Sequence, residues 1–161
     1  MPITETDRNF LKLAIAEGRK SLDTETGGPF GAVIVRDGKI LAIARNKVTW
    51  DNDPTAHAEV SAIRAACKRV GHFELKGATI YSSCEPCPMC LGAIYWSRIS
   101  RLVFSNSRNE AAEIAGFDDE FIYQELDKPF SERRLITEIE PLQAGLKLFQ
   151  DWRDKDDKIE Y

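Results

Sequence analysis

Pro86-Cys87-Pro88-Met89-Cys90, with His57-Ala58-Glu59 upstream of it, is the stretch on which the reading of this chain turns. Two thiolates and an imidazole are soft-to-borderline ligands, the set a catalytic zinc uses when it keeps its fourth position for water. The composition around these residues predicts a strand over 79–83 and a helix over 88–97, with a proline tolerated in the helix's first turn. A Cys-x-x-Cys at such a junction lets both sulfurs reach one ion, and the first-turn amides favour thiolate. His57 stands at a second predicted helix start, the helix running from 57 or 58 to 70. Positions two apart on a regular helix point about 200° away from each other. His57 and Glu59 therefore share one site only if His57 lies in an irregular first turn, which the polar loop 46–56 permits.

The spacing admits other readings. His57, Cys84, Cys87 and Cys90 also compose a closed Cys₃His site with no room for water, and Cys84-Glu85-Pro86-Cys87 is itself a Cys-x-x-Cys. A redox dithiol is a third reading. Glu59, which a closed site does not need, and Pro86 directly before Cys87 favour the open site, with Glu59 serving the water rather than the metal. On that reading Cys84 is a small packed residue beside the pocket.

Working outward, 161 residues are expected to make one domain, and the composition (43% hydrophobic, 30% charged) is that of a globular protein. A net charge of −4 opposes a polyanionic partner unless a local basic patch intervenes. No apolar run approaches the roughly 20 residues that span a bilayer. The opening Met1-Pro2-Ile3-Thr4-Glu5 carries neither a basic nor an apolar export signal. Three of the four cysteines crowd between 84 and 90, which suits a metal site better than a disulfide framework and points to a reducing cytoplasm.

Periodicity predicts an amphipathic helix over 7–22 and two strands, 32–36 and 40–45, about an Asp37-Gly38 hairpin turn. A further strand is expected at 101–105 and short helices at 109–115 and 119–126, the first stopped by Gly116. Residues 135–139 read as a last strand and 142–152 as a final helix before a charged tail. Strands alternating with helices predict an α/β three-layer α/β/α sandwich with a mixed sheet of about five strands.

With these residues in place the chain resembles the cytidine and deoxycytidylate deaminase superfamily and, within it, the bacterial guanine deaminases. The resemblance rests on 27–32 (Gly-Gly-Pro-Phe-Gly-Ala), 52–59 (Asn-Asp-Pro-Thr-Ala-His-Ala-Glu), 83–90 and 92–96 (Gly-Ala-Ile-Tyr-Trp). Gly116-Phe117-Asp118-Asp119, Cys84 and a tyrosine, Tyr161, after a charged tail lean towards the guanine enzymes rather than the tRNA adenosine deaminases. The resemblance implies one Zn²⁺ per subunit on His57, Cys87 and Cys90, with Glu59 shuttling protons. It implies substrate contacts from Phe30, Asn46, Ala58, Trp96 and Tyr161, and an additional acid among Glu113, Asp118 and Asp119. It further implies a free purine base as substrate, with guanosine or a tRNA adenosine as the alternatives, and a homodimer in which 142–161 is a candidate lid over its own or the partner's site. Nucleic acid is a poor candidate partner, because 151–161 holds five acids against three bases.

Overall fold

Gly31–Arg36 forms β1, an apolar run buried on both faces, and the other layers are built against it. The structure, a computed structural model, describes residues 2–117 and 119–161. Asp37 and Gly38 both take positive φ, 52° and 71°, the geometry whose twist suits a two-residue hairpin. Lys39–Arg45 therefore returns beside β1 as antiparallel β2. Thr79–Cys84 is β3, antiparallel to β1 on its other side, and Arg101–Asn106 is β4, parallel to β3. The mixed sheet runs β2-β1-β3-β4 among the described residues.

Helices cover both faces. Glu5–Arg19 is α1, started by a capping box between Thr4 and Asp7, and its Ala14 packs with Val33, Val35, Tyr81 and Val103. Asp7 also pins the helix to the sheet. Its buried carboxylate accepts from Arg101 at 2.6 and 3.1 Å and from the Tyr81 hydroxyl at 2.7 Å. The Arg101 guanidinium is the chief reason that this carboxyl lies well below the usual range. On the opposite face Ala58–Val70, here α3 after the short α2 (Val48–Asp51), packs Ala62, Ile63 and Ala66 over Ile34 and Ile80. Pro88–Trp96 is α4, connecting β3 to β4. With α1 on one side and α3 on the other, the sandwich has the three layers expected.

Arg108–Ala115 follows as α5, capped by Ser107 and stopped by Gly116 at φ 73°; Glu120–Leu126 is α6 and Gln143–Arg153 is α7. Two expectations change. Among the described residues the sheet has four strands, and 135–139 forms none: a strand needs a neighbour to take its backbone hydrogen bonds, and no described strand pairs with Leu135, Ile136 (86% exposed) or Ile139. The polar loop 46–56 holds α2, a single turn that a short stretch without apolar periodicity does not announce. The chain divides into two compact units, 1–120 and 121–161. No helix among the described residues is long and apolar enough to cross a membrane.

Candidate active site

Two helix starts build the metal-donor set. His57 is the N-cap of α3 and Cys87 the N-cap of α4; both have extended backbones, with ψ of 158° and 168°, and neither side chain caps its own helix. A residue at this position normally turns a side-chain oxygen back on the helix amides. Here an imidazole and a thiol turn towards each other instead. The irregular first turn needed for His57 and Glu59 to share a site is thus the N-cap itself. Cys90, fully buried in the first turn of α4, completes the group.

His57 Nδ1 lies 3.6 Å from Cys87 Sγ and 3.5 Å from Cys90 Sγ. Zinc bonds of about 2.3 Å to sulfur and about 2.0–2.1 Å to nitrogen, at tetrahedral angles, set S···N edges of roughly 3.5–3.6 Å. Donor chemistry and donor spacing both fit zinc. Among the described residues these three are the group able to hold a metal ion, their donor atoms all within 4.8 Å of one another. Cys84 stands outside it: burial pushes its thiol up to about 11, and its Sγ–H donates to the Ser107 carbonyl at 3.7 Å. The arrangement is the open, three-ligand one rather than closed Cys₃His.

Within the group, Cys87 is the thiol held ready as a thiolate. The hydrogen bond from Cys90, and then the His57 ring, hold the Cys87 thiol well below its usual range. The same pairing with Cys87 pushes Cys90 up, and the Cys87 sulfur raises the His57 imidazole. Glu59 stands beside the donors and is 6% exposed. Burial raises its carboxyl above the ordinary glutamate value, which makes it a better base when ionised and a usable acid when protonated. One of its oxygens, Oε1, accepts from the Ser82 hydroxyl at 2.9 Å; the other, Oε2, lies 3.5 Å from Cys90 Sγ.

A cavity of about 810 Å³ opens in front of His57, lined also by Phe30, Asn46, Val48, Thr49 and Phe117. Phe30 and Phe117 meet edge to face with centroids 4.7 Å apart. Asn46 is 5% exposed, and its Oδ1 accepts from the Val48 amide at 3.0 Å, an arrangement that makes the NH₂ its donor group. The glycines of 27–31 make room for these walls. A Cβ on Gly27 would run into the Asn46 side-chain oxygen, and one on Gly28 would come within 2.9 Å of both Phe30 and Phe117.

The remaining predicted site residues are scattered. Ala58 is fully buried in the core under α3. Trp96 ends α4, 61% exposed, with the Arg98 guanidinium 5.8 Å from its ring centre. Glu113 is exposed on α5, Asp118 lies outside the described residues, and Tyr161 belongs to the second unit, where it is exposed. Asp119 is half-buried; desolvation raises its carboxyl first and the Cys87 charge second, and its own charge acts on His57 and Cys84. Two site residues escaped the sequence reading. Phe117 stands in the 116–119 motif with no signal of its own. Ser82 carries a weak signal, a hydroxyl at a buried strand position that alternates with Ile80 and Cys84.

Residues 4–106 match the family profile described as the cytidine and deoxycytidylate deaminase zinc-binding region. Guanine deaminase of Bacillus subtilis (strain 168) is 52% identical over 152 residues, which cover 94% of this chain and 97% of the relative. The X-ray structure of guanine deaminase from Bacillus subtilis superposes with a TM-score of 0.93 at 50% identity, covering 99% of each chain. A tRNA-specific adenosine deaminase of Aquifex aeolicus (strain VF5) is 34% identical over 146 residues, 91% of this chain and 93% of the relative. The matched span contains both helix starts that carry the zinc donors, and the chain belongs to the cytidine and deoxycytidylate deaminase family.

Proposed function

We propose that this protein is a zinc-dependent guanine deaminase, hydrolysing guanine to xanthine and ammonia in purine salvage or catabolism. The observation that carries the reading is the buried Glu59 carboxylate set against the His57–Cys87–Cys90 donors beside a cavity walled by aromatic rings and an amide. Guanine is favoured among aminated bases by the relative of that name, similar across nearly the whole of both chains.

Zinc held by His57, Cys87 and Cys90 would supply Lewis acidity, enough to bring the pKa of a water from about 15.7 to about 7. The chain's own groups do the rest. Glu59 accepts the proton of the attacking water and delivers it to the ring nitrogen beside C2, the carbon under attack. A second transfer moves the proton of the new C2 hydroxyl to the amine, and ammonia leaves as the C2–N bond breaks and the carbonyl forms. Asp119 assists that departure in preference to Glu113, since its carboxyl is half-buried within electrostatic reach of Cys87 and His57. Phe30 and Phe117 hold the flat base, and the Asn46 NH₂ donates to an acceptor on its polar edge, where guanine carries a carbonyl and adenine an amine.

The same reading extends to assembly. The protein acts as a homodimer in the cytoplasm, its 161 residues one catalytic domain, with 142–161 exchanged between subunits and closing the partner's cavity against water. Exposed apolar side chains on α7 and at 135–139 support a covered state of this kind. A tRNA adenosine deaminase remains the rival because of the Aquifex aeolicus relative. A panel of guanine, guanosine, adenine, cytosine, cytidine, isocytosine and a tRNA stem-loop, assayed for ammonia release, decides between them. Guanine should be turned over fastest; preference for the stem-loop overturns the assignment.

A further inference from the structure

A carboxylate that shuttles protons has two oxygens, which the surroundings can tell apart. In Glu59 the two are already distinguished. Ser82 lies on β3 between Ala32 of β1 and Phe104 of β4, and is 1% exposed. Its hydroxyl donates to Glu59 Oε1 at 2.9 Å, across 23 residues of sequence. Oε2 points the other way, 3.5 Å from the Cys90 sulfur and therefore towards the metal donors. The two contacts differ in kind. The one from Cys90 is a long thiol contact on the side of the metal donors. The one from Ser82 is a shorter hydrogen bond from an alcohol on the sheet, and it fixes how the carboxylate is turned.

The position is otherwise an apolar one. Ile80 and Cys84, the residues that alternate with it on this face of β3, are buried, and Ile80 packs in the core under α3. A hydroxyl in such a place needs a partner, because an unmatched buried polar group is costly. Glu59 is that partner, and each fixes the other.

We propose that Ser82 is a positioning residue of the reaction: its hydroxyl anchors Oε1 of Glu59 to the sheet, so that Oε2 is the oxygen presented to the attacking water and the base. The inference rests on the deaminase reading for its chemistry, but the anchoring itself is independent of the substrate. Partners of this sort, which orient a group that in turn does the chemistry, change rates by about 10- to 100-fold when removed.

The test uses the zinc-loaded full-length protein and two variants, Ser82→Ala and Ser82→Thr. Ser82→Ala should lower kcat on the base that the parent turns over fastest by about 10- to 100-fold. KM should stay within about twofold, with metal content and melting temperature near the parent's. Ser82→Thr, which keeps the hydroxyl, should recover most of kcat. A kcat within about twofold of the parent in Ser82→Ala overturns the proposal. So does a loss that tracks zinc content or thermal stability rather than the hydroxyl. Crystal structures of parent and Ser82→Ala supply a readout that needs no turnover. The Glu59 carboxylate should rotate or become disordered in the variant; an unmoved carboxylate overturns the proposal even if the substrate panel has already displaced guanine.

Discussion

Helices α3 and α7 are close in length, 13 and 11 residues, and each carries an apolar stripe, yet their fates differ. Six residues of α3 are buried, and the burial holds its first turn, with His57 and Glu59, in place. In α7 none is buried: Leu142 just before it, then Leu146, Phe149 (75% exposed) and Trp152, all stand open. An amphipathic helix with its stripe uncovered forgoes the main force that orders a helix, and such a patch is where a partner surface is looked for. The first unit is complete as a scaffold for chemistry. The second leaves apolar side chains of α7 exposed, and a second copy is proposed to cover them.

This contrast grades the expected effects. The largest falls on the first unit. Glu59→Ala should retain zinc and the fold while turnover drops by roughly 10³-fold, as loss of a general acid–base does. Ammonia release and metal analysis check it, and a variant near parental turnover removes Glu59 from the mechanism. A smaller loss, on the order of 10²-fold, is expected for Asp119→Asn, with Glu113→Gln close to the parent. The reverse order would return the second acid to α5. The smallest belongs to the second unit. Phe149→Glu should convert a dimer to a monomer in sedimentation, and trimming 155–161 should lower turnover on free guanine about tenfold by admitting water to the site. If the parent sediments as a monomer, or the trimmed protein is fully active, the second unit has no covering role.

Much of the architecture was legible because its causes are local. The apolar run of β1, the Asp37-Gly38 turn with both residues at positive φ, and the Gly116 stop of α5 each act within a few residues. So does the donor spacing: Cys87 and Cys90 are three apart across a helix start, and His57 and Glu59 two apart across another. The segment 135–139 misled for the complementary reason. Its β-branched and apolar residues satisfy a strand's local pattern, but a strand exists only where another backbone is beside it, which no local pattern encodes.

The site divides along the same line. Chemical identity came from the chain alone: which atoms can hold zinc, and which carboxylate stands spaced to serve beside it, follow from residue type and separation. Orientation did not. That Cys84 is left out of the donor set, that Asp119 feels the Cys87 charge, and that Ser82 holds one oxygen of Glu59, all depend on residues brought together from distant parts of the chain. Burial and direction are properties of packing, and packing is settled only when the sheet and its two helical layers close.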